Sequence, residues 1–168
     1  MGVQPRVPPV SMGYLAPRRG GFLASAPNSR VFQHMDRDNM SDTEEYISPQ
    51  QLQEVNTALS SQDEDTRWQA AIVLGAYSET DPEAIWPLTV KHGSSNNEDT
   101  RTAIATCVLE HILEYHFQAF FIRVQHLIQH GNSNFAGTFL ICWQFGQAKL
   151  PGNSEQFKAT RKQAERLW

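Results

Sequence analysis

Residues 64–77 read EDTRWQAAIVLGAY and residues 98–113 read EDTRTAIATCVLEHIL, the same four-letter opening written twice at a separation of 34. In each stretch acidic side chains come first, where they meet the positive end of a helix dipole. Apolar residues then recur at helical spacing, through Ala71, Ile72 and Leu74 in one and Ile104, Val108 and Ile112 in the other. Each stretch is therefore expected to be a helix, and the identical openings are expected to begin equivalent helices of a repeated unit.

Working outward, the signals for helix starts and stops arrive in pairs. Ser48 followed by Pro49 is an N-cap with proline at the first helical position, and Leu52, Val55 and Leu59 carry that helix to about Ser61. The first EDTR helix follows from residue 62 to about 78. Asp81-Pro82 opens a helix through Ile85, Trp86, Leu88 and Val90 to a stop at His92-Gly93, and its partner runs from about Asn96 to Tyr115. A third pair is expected over 116–130 and 134–148, with the apolar seam reaching Trp143, and a last helix over 154–168. Laid over one another, Asp65, Asp99 and Asn134 coincide, as do Val73, Cys107 and Cys142, and Gln53, Pro87 and Ile122. A period of 34 then 35 marks hairpins that cannot bury their own apolar faces and must stack on neighbours. The fold class is all-α, with no strand-like alternation after Met40.

The chain has 168 residues and 40% hydrophobic content, enough to bury one core. Residues 1–39 are rich in proline, glycine, serine and arginine, without helical or strand periodicity. They are expected to be a disordered extension, or sequence translated upstream of a true start at Met35 or Met40 rather than Met1. Residues 40–168 form the expected helical-repeat domain. That domain carries nine bases against sixteen acids, net −7, a balance opposed to dense phosphate contacts, so nucleic acid is not an expected partner. The most apolar window, FAGTFLICWQFG, is too short to span a bilayer. Cys107 and Cys142 lie inside apolar helical segments, as small core residues in a reducing compartment. A cytoplasmic protein is expected.

These residues resemble HEAT repeats, whose units carry a proline early in the first helix and an Arg-x-x-Ala-x-x-x-Leu-Gly type run in the second. The carriers are Trp86-Pro87-Leu88, then Thr66-Arg67 with Ala70, Ala71, Leu74 and Gly75, and Thr100-Arg101 with Ala105 and Leu109. The resemblance covers about residues 48–148. It departs where the family's inter-helix aspartate falls on Ser61 and Ser95, and where Ala136 replaces the arginine of the third unit. It implies a right-handed α-α superhelix of three hairpins with a C-terminal capping helix, in which Arg67, Arg101, Pro87, Asp65 and Asp99 serve the framework. It further implies a concave face on the second helices, lined by Trp68, Ile72, Thr102, Thr106, Glu110 and Ile141, that contacts a protein partner.

No motif compels a chemical reaction. His126 and His130 stand four apart, and Glu110, His111, Glu114 and His116 crowd the preceding helix end, which is raw material for a two-helix metal site. No repeated Glu-x-x-His accompanies them, so no metal and no cofactor are expected. Phosphate-cradling glycine loops and nucleophile elbows are missing from the sequence. The expected function is a non-enzymatic protein-interaction module or adaptor. The alternative is a helical-repeat enzyme similar to HEAT-like DNA glycosylases or bilin lyases, using an acid such as Glu110 near Trp68. The last helix carries Lys158, Arg161, Lys162 and Arg166, expected as a polar cap on the final unit, or else as a dock for an acidic partner.

Overall fold

The computed structural model describes residues 46–168, and the expectations for residues 1–39 lie outside them. Among the described residues there are helices and turns and no strand. The helices are α1 (Pro49–Leu59), α2 (Glu64–Gly75), α3 (Pro82–Gly93), α4 (Glu98–Ile104), α5 (Glu110–Gln129), α6 (Ser133–Ile141) and α7 (Pro151–Leu167). A π-helical turn, Ala105–Leu109, joins α4 to α5, and a 3-10 turn, Gly146–Lys149, precedes α7.

Local chemistry explains the starts. Ser48 Oγ accepts from the Gln51 N–H and Gln51 Oε1 accepts from the Ser48 N–H, a reciprocal cap, with Pro49 in the first turn where its missing N–H costs nothing. The three second helices are capped alike. Asp63, Asn97 and Asn132 each accept from the N–H three residues on, at Thr66, Thr100 and Phe135. These caps are spaced 34 and then 35, the period read from the sequence. Pro87 lies within α3, where its ring nitrogen leaves the Glu83 carbonyl without a helical donor. Gly131 adopts φ 81°, and the bonds Gly131 N–H to Ile128 O and Asn132 N–H to Leu127 O close α5 in a left-handed cap that favours glycine.

The helices meet in chain order. α1 packs on α2, α3 on α4 and α5 on α6, while α2 lies against α4, α4 against α6 and α6 against α7. Between these layers runs one core, built early on from Leu59, Ala71, Leu74 and Ile85, and later from phenylalanine. Phe117 stacks on Phe121 with centroids 4.3 Å apart, and Phe139 meets Phe157 at 4.6 Å, so α7 is fastened by the aromatic core of the last pair. Each such ring contributes about 1.5–3 kcal/mol by burial.

Two expectations need correction. α6 ends at Ile141, not near residue 148, and Trp143 is 74% exposed instead of lying in the seam. The break has remote causes: Glu110 Oε1 accepts from the Trp143 N–H at 2.8 Å, and Arg161 donates to the Leu140 and Cys142 carbonyls at 2.6 and 3.2 Å. The last helix, expected from residue 154, begins at Pro151, whose missing N–H suits the first turn of α7. The boundary expected at Tyr115-His116 is borne out: His116 takes the non-helical φ −129°, ψ 39° and divides α5 into two helical arms, 110–115 and 117–129. The freed backbone groups are met by one side-chain amide, with Gln147 Oε1 accepting from the Phe117 N–H and Gln147 Nε2 donating to the Tyr115 carbonyl.

Candidate functional site

The repeated EDTR openings place two arginines in equivalent settings, and a third polar residue completes the series. Arg67 is 6% exposed, and its Nη1 donates to the Ser61 and Gln62 carbonyls at 3.0 and 2.9 Å. Its Nε and Nη2 both reach Asp99 Oδ2, at 3.0 and 2.5 Å, across to the next pair. Trp68 Nε1 donates to the other Asp99 oxygen at 2.8 Å. Burial pushes the Asp99 carboxyl up, but the Trp68 and Arg67 bonds together hold it below its ordinary value. Asp99 thus ties two hairpins from the first turn of its own helix. Asn134, its counterpart one unit later, also reaches back, donating to the Ser94 carbonyl at 3.2 Å and to Asn96 Oδ1 at 2.9 Å. Asp65, the first of the series, is exposed in the first turn of α2.

Glycines mark where these layers come closest. A Cβ on Gly75 would stand 2.0 Å from the Cys107 carbonyl oxygen, so α2 can approach the π turn only without a side chain there. A Cβ on Gly137 would stand 2.6 Å from the Trp168 ring. Gly137 holds the position of Trp68 and Thr102, and Trp168 covers the space that its missing side chain leaves.

The residues expected on a common face divide into two groups. Ile72 is 52% exposed, and Trp68, Thr102, Thr106 and Ile141 are half-buried. Thr102 and Thr106 each turn their hydroxyl back to a carbonyl of their own helix, at Glu98 and Thr102, which leaves their methyl groups as the free part. Glu110 does not belong with them. It is 6% exposed and spends a carboxylate oxygen on the Trp143 N–H, and burial raises its carboxyl above the ordinary value. The cause is the π turn, which houses one residue more than an α-helical turn. Every side chain beyond it is rotated by about 100° relative to a regular helix. Counted past that extra residue, Glu110 matches Gly75, which faces the next pair, and not the exposed Ala76.

The remaining candidates disperse. His126 and His130 stack with centroids 3.8 Å apart, and His130 Nδ1 donates to the His126 carbonyl. His111 pairs with Glu114 at 3.0 Å, while the His116 ring donates to the Glu79 carbonyl at 2.7 Å. Among the described residues no group of three or more His, Cys, Asp or Glu is placed to hold a metal ion. Cys107 and Cys142 are free thiols, and burial, with Glu110 adding to it, pushes Cys142 well above the usual thiol value. An open groove of about 400 Å³ lies between α3 and α5, lined by Trp86, Ile122 and Arg123 among others. A second, of about 560 Å³, runs along the Lys158, Lys162 and Arg166 side of α7. Among the described residues no helix is long and apolar enough to cross a membrane. Sequence reasoning missed Gln147, Asn132 and Trp168; the smallness of Gly137 opposite Trp68 and Thr102 was the one available sign that another side chain must fill that place.

Comparison with protein families, with curated proteins and with solved structures finds no match to this chain.

Proposed function

We propose that residues 46–168 are a short HEAT-like α-solenoid, a right-handed stack of three hairpins closed by α7, and that it works as a protein-interaction module or adaptor. The observation that carries this reading is the Arg67–Asp99–Trp68 link between hairpins, which fixes the spacing of consecutive second helices from the inside. A frame set in this way presents Ile72, Trp68, Thr102, Thr106 and Ile141 as a mostly apolar, pre-organised face, and pre-organisation lowers the ordering cost of binding. The three matching N-caps and the chain-order contacts of the second helices support the repeat. The enzyme alternative relied on Glu110 beside Trp68, and Glu110 is committed to the Trp143 backbone.

The test compares capture of a cognate protein by the full chain and by the paired variant Ile72→Asp, Thr106→Asp, both on the open side of their helices. Capture should fall at least about tenfold, equivalent to about 1.4 kcal/mol, with an unchanged melting temperature. Undiminished capture by a folded variant rejects the proposed face. A DNA-retention assay across a salt series addresses the glycosylase alternative, which requires steep salt dependence.

A further inference from the structure

Arg67 and Arg101 occupy the same position of successive units, and only one of them has its counter-charge. Arg101 is 5% exposed, and its Nη1 donates to the Ser95 carbonyl at 2.8 Å, as Arg67 does to Ser61. On Arg67 the opposite edge, Nε with Nη2, is filled by Asp99. On Arg101 the corresponding Nε is buried without a hydrogen-bond partner, and among the described residues no carboxylate pairs with this guanidinium. The residue that should supply one is Asn134, whose amide points to Ser94 and Asn96. Instead the Trp168 ring lies over the guanidinium, 4.9 Å from its carbon to the ring centroid. A buried cation with a cation–π contact and one carbonyl bond is under-compensated, because charge-assisted bonds along both edges are what offset desolvation of a guanidinium.

We propose that the Nε/Nη2 edge of Arg101 receives a carboxylate from an acidic side chain of the partner protein, placed as Asp99 is placed on Arg67, with Trp168 as a displaceable cover. This inference rests on the interaction-module reading and names the chemistry of what is bound. Charge favours a carboxylate over phosphate: Glu98 and Asp99 stand in the first turn of the same helix and penalise a dianion more than a singly charged group. The cover is able to move, since Trp168 is 59% exposed as a residue and follows the end of α7, with its backbone N–H on the Ala164 carbonyl.

The experiment follows the arginine Nε–H signals of the full chain by nitrogen-15 NMR during titration with capped glutamate (N-acetyl-glutamate amide), capped glutamine and inorganic phosphate. Capped glutamate should move the Arg101 signal saturably, leave the Arg67 signal in place, and find no competitor in capped glutamine. Trp168→Ala, which uncovers the edge, should bind capped glutamate more tightly. Asn134→Asp, which restores a carboxylate at the position of Asp99, should weaken the response about tenfold or more. An absent Arg101 response in both the wild type and Trp168→Ala overturns the inference, as does an equal response to phosphate, and as does an Asn134→Asp variant that responds like the wild type. No partner protein enters this titration, so its failure is separable from failure of the Ile72–Thr106 capture test.

Discussion

Removal of the Asp99 carboxylate should expose how the hairpins are joined. The Arg67 side chain is 7% exposed and Asp99 27%, with Nη2 to Oδ2 at 2.5 Å. At an effective dielectric near 20, two charges about 4 Å apart attract by about 4 kcal/mol before desolvation is subtracted. Stripping one partner from a fully buried pair costs about 3–5 kcal/mol. Here the Ser61 and Gln62 carbonyls still hold the stranded guanidinium, so Asp99→Ala should cost about 2–3 kcal/mol, part of it from the Trp68 N–H that loses its acceptor. Arg67→Met should cost about 2 kcal/mol, and the double variant less than the two together. The double-mutant cycle, read by urea unfolding with circular dichroism, should give a coupling of about 1.5 kcal/mol or more. A coupling at or below about 0.5 kcal/mol, the worth of an exposed pair, would refute the claim that this contact sets the spacing between hairpins. The pH dependence offers an internal check. The folded carboxyl lies below its ordinary value of 3.8, so its stabilisation is present above that value and disappears as pH falls through the folded one. The gap between wild type and Asp99→Ala should close in that acid range.

Gly75→Ala, which in an open helix would add about 0.5–1 kcal/mol, should instead destabilise by about 2–3 kcal/mol, because the new Cβ would meet the Cys107 carbonyl oxygen at 2.0 Å; an unchanged or raised melting temperature would show that α2 and the π turn are not in contact. His92 is 5% exposed with Nε2 3.0 Å from Asn56 Oδ1, and burial, aided by Lys91, lowers it from 6.5 to about 4. The unfolded chain then binds the extra proton first, so stability should be full above about pH 6.5 and decline towards pH 4 by about 2–3 kcal/mol. His92→Gln should flatten that window in melting curves, and a window of the same depth in the variant would assign the effect elsewhere.

The parts of this fold that depend on nearby residues were legible in the sequence. Asp63 and Asn97 act on N–H groups three positions away, and a proline at the first helical position needs no distant partner. The end of α6 was not legible, because LICWQF continues an apolar helical run. What stops it are Glu110 and Arg161, 33 and 19–21 residues away in the chain. The π turn left only a numerical trace, the lengthening of the period from 34 to 35, and that single residue moved Glu110 from the expected face into the interior. Trp68 and Ile72 precede it; Ile72 stays exposed and Trp68 half-buried. The Arg67–Asp99 pair was foreseeable as two framework residues. That the acid would come from the next unit, in place of the serines at the inter-helix turn, depended on which way α4 faces once packed.

The corner at His116 has a mechanical consequence. The second helix of one hairpin meets the first helix of the next at a single non-helical residue, His116, with no loop between them. A change of angle there cannot be taken up by slack; it must fall on one φ, ψ pair and on the bonds that clasp it, from the His116 ring to the Glu79 carbonyl and from Gln147 to both sides of the bend. Such a joint behaves as a lever fulcrum. Force applied to the arm over residues 117–129 is delivered to the arm over 110–115, whose first residue holds the Trp143 amide.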